Sequence, residues 1–303
     1  MPLVSIVIAN YNYGRFLAEA IESVLAQSCP DYELIICDGG SMDNSLDVIK
    51  KYADRLAWWC SEPDKGQSDA FNKGFAHATG KYLTWLNADD VMLPGVIAAL
   101  KTAATKHPDC EWFAGGCFFL DPEMKILKCN MARPFSEMRY RSGIVYVYGP
   151  SSFFTKRLLT AVGGVDVRFC YTMDIKLWFQ FRHDCGVRYR SFIDLAWGFR
   201  FHADSKTSGQ TIVNGKVVMS RLSGSGSEKR RMALSNERAW LVGDFKLVPW
   251  TALRRLLSVS WPAAIQGLWL SWKFRGRHYL DYYKEHGEHV LRDSGSWLKP
   301  ERS

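Results

Sequence analysis

A chain of 303 residues, 47% hydrophobic and 23% charged, has an ordinary globular composition, which excludes wholesale disorder, and enough length for one large domain or two modest ones. Its net charge of +8 is not spread evenly: 16 Lys and Arg against 8 Asp and Glu lie from residue 211 onward, leaving 23 against 23 in the first 210 residues. The basic segment also carries Trp240, Trp250, Trp261, Trp269, Trp272 and Trp297, and this mixture suits an anionic membrane surface at least as well as a nucleic-acid backbone.

The chain opens with an apolar run, Val4 to Ala9, followed by Leu17, Ala20, Ile21, Val24 and Leu25 at helical spacing, so the first unit is a strand and then a helix. With no basic region and no cleavage site, Met1 to Ala9 reads as a strand rather than a signal peptide. Glu33 to Cys37 is a second strand closed by Asp38-Gly39-Gly40-Ser41, with a helix expected from about Asn44 to Tyr52. Leu56 to Cys60 is a third strand, Ser68 to Ala78 a helix, Tyr82 to Leu86 a fourth strand and Pro94 to Lys106 a helix. Strands alternating with helices of this length predict a parallel, doubly wound sheet.

The pattern then changes. Trp112 to Leu120, Lys125 to Cys129 and Ile144 to Phe154 are strand-like, as in a mixed sheet that extends the first half, and Arg157 to Val162 and Asp174 to Arg182 read as helices. From Asp204 to Ser227 the chain is rich in Ser, Gly and Thr, a boundary or a lid over the site. These features divide the chain into a domain over 1–210 and a basic, Trp-rich, mostly helical extension over 211–303. The apolar stretch Leu256 to Trp272 is broken by Pro262, Gln266 and Gly267; a spanning helix needs about 20 apolar residues, so this one is expected to lie on the membrane or on the domain. Eight cysteines without CxxC spacing read as reduced, buried thiols of a cytoplasmic protein. His286 and His289 lack a third ligand and read as a solvated helix face.

Phosphate-binding signatures are absent: there is no GxxxxGK[ST], and no GxGxxG follows the first strand. The first strand runs instead into Asn10-Tyr11-Asn12-Tyr13-Gly14, which offers amides and an aromatic ring to a nucleoside, or simply caps the next helix. The fourth strand ends in Asn87-Ala88-Asp89-Asp90. In an open α/β sheet, ligands bind at the carboxyl ends of the strands, and adjacent carboxylates there are relieved by a divalent cation, which can hold a diphosphate. Asp90 also suits a helix cap. The second strand delivers Asp38 to the same edge, where it would accept hydrogen bonds from a base or ribose or serve ordinary turn chemistry.

Together, Ser5 to Asn12, Asp38-Gly39-Gly40-Ser41, Gly66 to Gly74 with Asp69 and Asn72, Gly80 to Asp90, and Met173-Asp174 with Leu177-Trp178 resemble family 2 of the inverting glycosyltransferases. The resemblance covers about residues 1 to 205. It implies the GT-A fold, a Rossmann-like mixed sheet flanked by helices, and a hexosyltransferase acting from a nucleotide-sugar donor. By position it implies donor contacts from Asn10, Tyr11, Asp38, Asp69, Asn72, Asn87 and Asp89, with Asn87 in place of the first acid of the D-x-D motif. Asp89 would then be the principal ligand of Mn²⁺ or Mg²⁺, and Asp174 the catalytic base that deprotonates the acceptor hydroxyl. Phe201-His202-Ala203-Asp204-Ser205 resembles the His-x-x-Ser segment of relatives, which makes His202 a second metal candidate beside its bland reading as a structural histidine after an apolar strand.

The implied partners are a donor, UDP-sugar favoured with GDP- and dTDP-sugars as alternatives, and a saccharide or glycolipid acceptor carried on lipid, in polysaccharide or glycolipid synthesis. The expected location is cytoplasmic, peripheral on the inner face of the cell membrane through 211–303, with no nucleic acid. Other classes compatible with the residues are a non-catalytic nucleotide-sugar or membrane-binding module and a sugar nucleotidyltransferase. The latter carries a glycine-rich basic loop after its first strand, and Asn10 to Gly14 is not one.

Overall fold

The computed structural model of the chain describes residues 1–141, 147–202, 204–206, 210–213, 216–219, 237 and 261–286. The first half alternates β1 (Val4–Asn10), α1 (Gly14–Leu25), β2 (Tyr32–Asp38), α2 (Ser45–Lys51), β3 (Trp58–Ser61), α3 (Gln67–His77) and β4 (Tyr82–Asn87). These strands pair in parallel in the order β3-β2-β1-β4, with Asn10 opposite Asp38 and Ala9 opposite Asn87. Three strands therefore release their last residues along one edge. Both faces are covered: Ile6 and Ile8 of β1 join one apolar core, which includes Leu17, Ile21 and Val24 of α1, whereas Val7 joins a second with Phe71 and Phe75 of α3. A strand buried on both sides reads as a continuous apolar run, which is why Val4 to Ala9 is so legible.

The second half extends the sheet with β5 (Val91–Met92), β6 (Trp112–Leu120), β7 (Ile126–Asn130), β8 (Ser152–Thr155) and β9 (Arg190–Arg200), interspersed with α4 (Val96–Lys106), α5 (Glu137–Arg141), α6 (Lys156–Ala161) and α7 (Met173–His183). β8 runs antiparallel between β4 and β6, β9 pairs parallel to β6, and β5 pairs antiparallel to β9. The result is a mixed α/β sheet with helices on both faces. Gly116 of β6 lies where backbones converge: a Cβ there would meet Asp194 O at 2.2 Å and Asn130 O at 2.3 Å, so the β6–β9 approach admits only glycine.

Two sequence expectations change. The strand expected over Ile144 to Phe154 shrinks to β8: residues 142–146 lie outside the described set, and Gly149–Ser151 is a 3-10 turn. Pro150 has no N–H to give a ladder, and a Cβ at Gly149 would be 2.5 Å from Trp85 Cζ2, so the chain turns to pack on that indole. The thiols are all free, but Cys170 is exposed and only Cys37, Cys117 and Cys129 are buried.

Within the basic extension, β10 (Gln210–Val213) and β11 (Lys216–Met219) form an antiparallel hairpin in the Ser- and Gly-rich stretch, most of which lies outside the described residues. α8 (Trp261–Phe274) and α9 (Tyr279–His286) return to the sheet domain. Leu270, Phe274, Tyr279, Tyr282 and Tyr283 are buried in the same core as β6 and β7, and Ser271 Oγ accepts Cys129 N–H at 2.8 Å. The opposite face of α8 shows Leu268 (69% exposed) and Trp272 (79% exposed) to solvent. Among the described residues no helix is long and apolar enough to cross a membrane. His289 lies outside the described residues, as does the start of the apolar stretch from Leu256.

Candidate active site

At the carboxyl edge of β1, β2 and β4 opens a cleft of about 1060 Å³. Its walls include Asn10 and Tyr11 after β1, Gly39 and Gly40 after β2, Asn87 and Asp89 after β4, Asp174 at the start of α7, and Lys206. Trp85, Tyr148, Trp197 and Phe199 give it an aromatic side. Residues far apart in sequence meet here because parallel strands all end on one edge.

Asp38 is 1% exposed and does not line the cleft. Its Oδ1 accepts Asn10 Nδ2 at 2.7 Å and the Ser41 hydroxyl at 2.5 Å, and its Oδ2 accepts Ser41 N–H at 3.0 Å and the Ser61 hydroxyl at 2.6 Å. Burial alone would raise this carboxyl, but these donors hold it below its ordinary value. Asp38 thus ties β1, β3 and its own turn into one rim. Asp69 and Asn72 likewise fall outside the lining: Asp69 Oδ2 accepts Lys65 N–H at 3.0 Å, and Asn72 clamps Val165 with a donated bond to its carbonyl at 2.7 Å and an accepted bond from its N–H at 2.9 Å.

An acid that does line the cleft beside the β2 turn is Asp64, which sequence reading missed. A Cβ at Gly39 would lie 2.6 Å from Asp64 Oδ2 and 3.3 Å from Tyr11 Cδ2, so the Asp64 carboxylate and the Tyr11 ring flank this turn. Tyr11 itself is 59% exposed. The local Pro63-Asp64-Lys65-Gly66 sequence resembles any turn, and nothing in it marked Asp64 out.

Asn87 faces the cleft, but both ends of its amide are engaged. Its Nδ2 donates to Asp90 Oδ2 at 2.6 Å and its Oδ1 accepts Gln67 Nε2 at 2.9 Å, while Lys206 Nζ donates to Gln67 Oε1 at 3.3 Å. A carboxylate at 87 would confront Asp90, which is fully buried and also accepts Arg200 N–H at 3.0 Å. Burial, and then the charge of Asp89, push the Asp90 carboxyl well above its usual range. An amide donor beside such a group is the electrostatically sound choice.

Asp89, in contrast, has an oxygen directed at imidazole: its Oδ2 lies 3.0 Å from His202 Nε2, and both side chains are largely buried. His202 is packed on Phe16 at 4.6 Å and Tyr13 at 5.6 Å between ring centroids. The segment after β9 is fastened to α1, since the Tyr13 hydroxyl donates to Asp204 O at 2.7 Å and Arg15 pairs with Asp204. Among the described residues no three His, Cys, Asp or Glu cluster as a metal cage; Asp89 and His202 are a contacting pair.

Asp174, in the first turn of α7, also lines the cleft. Its Oδ1 accepts Ile175 N–H at 2.8 Å. Burial raises its carboxyl to about 6, against the lowering effect of backbone N–H groups from Ile175 and Gly149.

Residues 5–155 match the model of glycosyl transferase family 2. Among curated proteins, the chain is 47% identical over 100 residues to an uncharacterized glycosyltransferase of Nostoc, covering 30% of this chain and 29% of that one. It is 33% identical over 176 residues to a Mycobacterium tuberculosis protein of the same description, covering 57% and 66%. It is 38% identical over 167 residues to a PGL/p-HBAD biosynthesis glycosyltransferase of Mycobacterium bovis, covering 49% and 63%. The matches thus span between about a third and two thirds of these relatives' length. Among solved structures, the fold is shared with S. aureus TarS residues 1–349 at a TM-score of 0.50, 16% identity and coverage of 66% of this chain and 60% of that one. A mannosyltransferase of Pyrobaculum calidifontis gives a TM-score of 0.50, 20% identity and coverage of 68% and 58%. The chain belongs to glycosyl transferase family 2 and has the GT-A fold of these enzymes.

Because Asp38 is an acceptor hub with a depressed pKa, the stability it adds is present above the unfolded carboxylate value and is lost as pH falls through its folded value. Replacing Asp38 with Asn should cost about 1–3 kcal/mol near pH 7, and chemical denaturation at pH 7 and pH 3 should show the difference from wild type shrinking at the acid pH.

Proposed function

We propose that the chain transfers a sugar with inversion from a nucleotide-sugar donor to a hydroxyl of a saccharide acceptor, with Asp174 as general base. The observation that carries this reading is the cleft itself, whose lining includes both Asp89, backed by His202, and Asp174, a carboxyl tuned to about 6. A base with a pKa just below working pH is ionised yet still a competent proton acceptor. In the proposed step, Asp174 takes the proton of the acceptor hydroxyl as its oxygen bonds the anomeric carbon and the bond to the diphosphate breaks. No protein nucleophile is required.

Asp89 and His202 fit a divalent cation of the Mn²⁺ or Mg²⁺ kind, an oxygen and an imidazole ligand whose remaining positions suit diphosphate oxygens. When bound, that ion would neutralise the charge that develops on the leaving diphosphate. The Pyrobaculum mannosyltransferase of the same fold was solved with GDP-Man and Mn²⁺. Lys206, held over the Tyr171 ring with Nζ 5.8 Å from its centroid, adds positive charge to the same cleft. Tyr11 and the Asp64 carboxylate favour the base and ribose end, and the aromatic side of Trp85, Tyr148, Trp197 and Phe199 suits the apolar faces of sugar rings. Asp38 supports the donor indirectly, by holding the rim on which Asn10 and Tyr11 sit. A lipid-carried acceptor is favoured by the exposed apolar face of α8, with Leu268 and Trp272, flanked by Lys273, Arg275 and Arg277, since an apolar face with basic neighbours suits the interface of an anionic membrane.

Titration calorimetry with UDP, GDP and dTDP should give heat with one of them, strengthened by Mn²⁺, and Asp89→Asn should weaken the metal-dependent binding by roughly tenfold or more; silence with all three would refute the donor site. Release of nucleoside diphosphate from the matching sugar nucleotide should rise with pH through an acid limb near 6 and fall by about 10²–10⁴ in Asp174→Asn, with donor affinity retained; wild-type turnover in that variant would remove the assigned base. Co-sedimentation with phosphatidylglycerol vesicles should be lost in the double variant Leu268→Glu, Trp272→Glu, and unchanged binding would sink the membrane reading.

A further inference from the structure

In the first turn of α7 Asp174 Oδ1 accepts Ile175 N–H, and the residue before the helix is held from elsewhere in the chain. Thr172, at the cap position, makes no side-chain bond to the helix; its hydroxyl instead donates to Glu237 Oε2 at 2.7 Å. The same carboxylate accepts three successive backbone N–H groups, from Cys170 at 2.9 Å, Tyr171 at 3.2 Å and Thr172 at 2.9 Å. Glu237 is 9% exposed, and it comes from beyond the boundary at residue 210 expected from composition. A buried carboxylate that collects four donors on both of its oxygens is strongly fixed, and it fixes what it touches. Cys170 and Tyr171 line the cleft, and Asp174 follows two residues after Thr172.

We propose that Glu237 is a positioning residue for Asp174, an acid from the basic extension that pins the turn Cys170 to Thr172 leading into α7. The catalytic wall is therefore incomplete without the extension, apart from any role of that segment at a membrane. The charge of Glu237 acts on Asp174 as well as its reach. A negative group at the helix N-terminus offsets the partial positive charge of the exposed N–H groups, which would otherwise favour the ionised form of a nearby carboxyl. The direct field of Glu237 raises Asp174 in the same direction, after burial. Among the described residues the charged groups at the cleft besides Asp174 are Lys206, Asp64, Asp204 paired with Arg15, and Asp89 beside His202, with Tyr11, Tyr13, Tyr148, Tyr171 and Cys170 also in its lining; on α7 itself Lys176 pairs with Asp166 at 3.2 Å.

This inference rests on Asp174 being the base, so two readouts on the full chain separate the claims. The first needs no substrate. A carboxyl raised from 3.8 to about 6 costs stability progressively as pH rises through that window, so Asp174→Asn should gain melting temperature over wild type between about pH 4 and pH 6. In a Glu237→Gln background the onset, set by the unfolded carboxyl, should stay in place while the gain levels off roughly half a pH unit or more lower and is smaller in total; an unmoved plateau overturns the proposal whatever Asp174 does in catalysis. The second follows nucleoside diphosphate release from UDP-GlcNAc and GDP-mannose with Mn²⁺. Glu237→Gln should reduce turnover by roughly tenfold and shift the acid limb to lower pH by the same half unit, with donor KM unchanged, which a purely structural loss would not do. Glu237→Asp keeps the charge and loses reach, so the limb should stay in place while turnover falls several-fold; unchanged turnover there overturns the proposal even if Glu237→Gln fails to fold. Full turnover in Asp174→Asn, with the melting shift still present, would remove the base assignment and leave the positioning contact standing.

Discussion

Three indole rings hold the two walls of the cleft together. Trp85 of β4 stacks on Trp178 of α7 with centroids 5.7 Å apart and planes 6° from parallel, and Trp178 stacks in turn on Trp112 of β6 at 5.2 Å. All three are almost fully buried. Trp85 lies four residues before Asp89, and Trp178 lies one helical turn after Asp174, so the indole that docks α7 on the sheet projects from the same helix face as the carboxyl. Each large aromatic contributes on the order of 2–3 kcal/mol through burial, and stacked pairs add about 1 kcal/mol. Gly149 completes the arrangement by letting the turn before β8 close on Trp85. Packing of this kind allows little drift, so the separation of Asp89 and Asp174 across the cleft is held by buried rings.

Around that frame the acids of the cleft have divided their work. Asp38 has its oxygens filled by Asn10, Ser41 and Ser61 and behaves as part of the skeleton. Asp90 is buried and served by Asn87 and Arg200. Asp89 and Asp174 remain with oxygens toward the cleft, one beside an imidazole and one pushed up in pKa by burial. Asn87, which stands in the sequence where the resemblance implies an acid, and Gly39, which has no side chain, are each met by a neighbouring group. Asn87 supplies the donor that Asp90 needs, and the volume next to Gly39 is taken by the Asp64 carboxylate.

The legibility of the chain followed the same physics. Strands buried on both faces, such as β1 and β4, and amphipathic helices such as α1 are written as local periodicity, so their ends fell within a few residues of expectation. Two-residue β5 is too short to leave a pattern, and the run through Val147 to Phe154 looked like one strand although Gly149 and Pro150 bend its middle. Cys170 sits in an apolar neighbourhood of sequence yet at an open cleft wall. Asp69 and Asn72 carried the family pattern, but their bonds to Lys65 and Val165 are visible only once α3 is folded against its neighbours.

By itself the sequence determined the order of strands and helices, the edge to which Asn10, Asp38 and Asp89 are delivered, the α/β class and the family, because each depends on residues close together in the chain. Only the tertiary structure decided which of those acids face the cleft, that Asp64 lines it beside the β2 turn, that His202 meets Asp89 across 113 residues, and that Glu237 reaches back to the turn before α7. Those outcomes depend on which donors arrive from distant segments to fill each carboxylate, and hydrogen-bond saturation leaves no periodic trace in sequence.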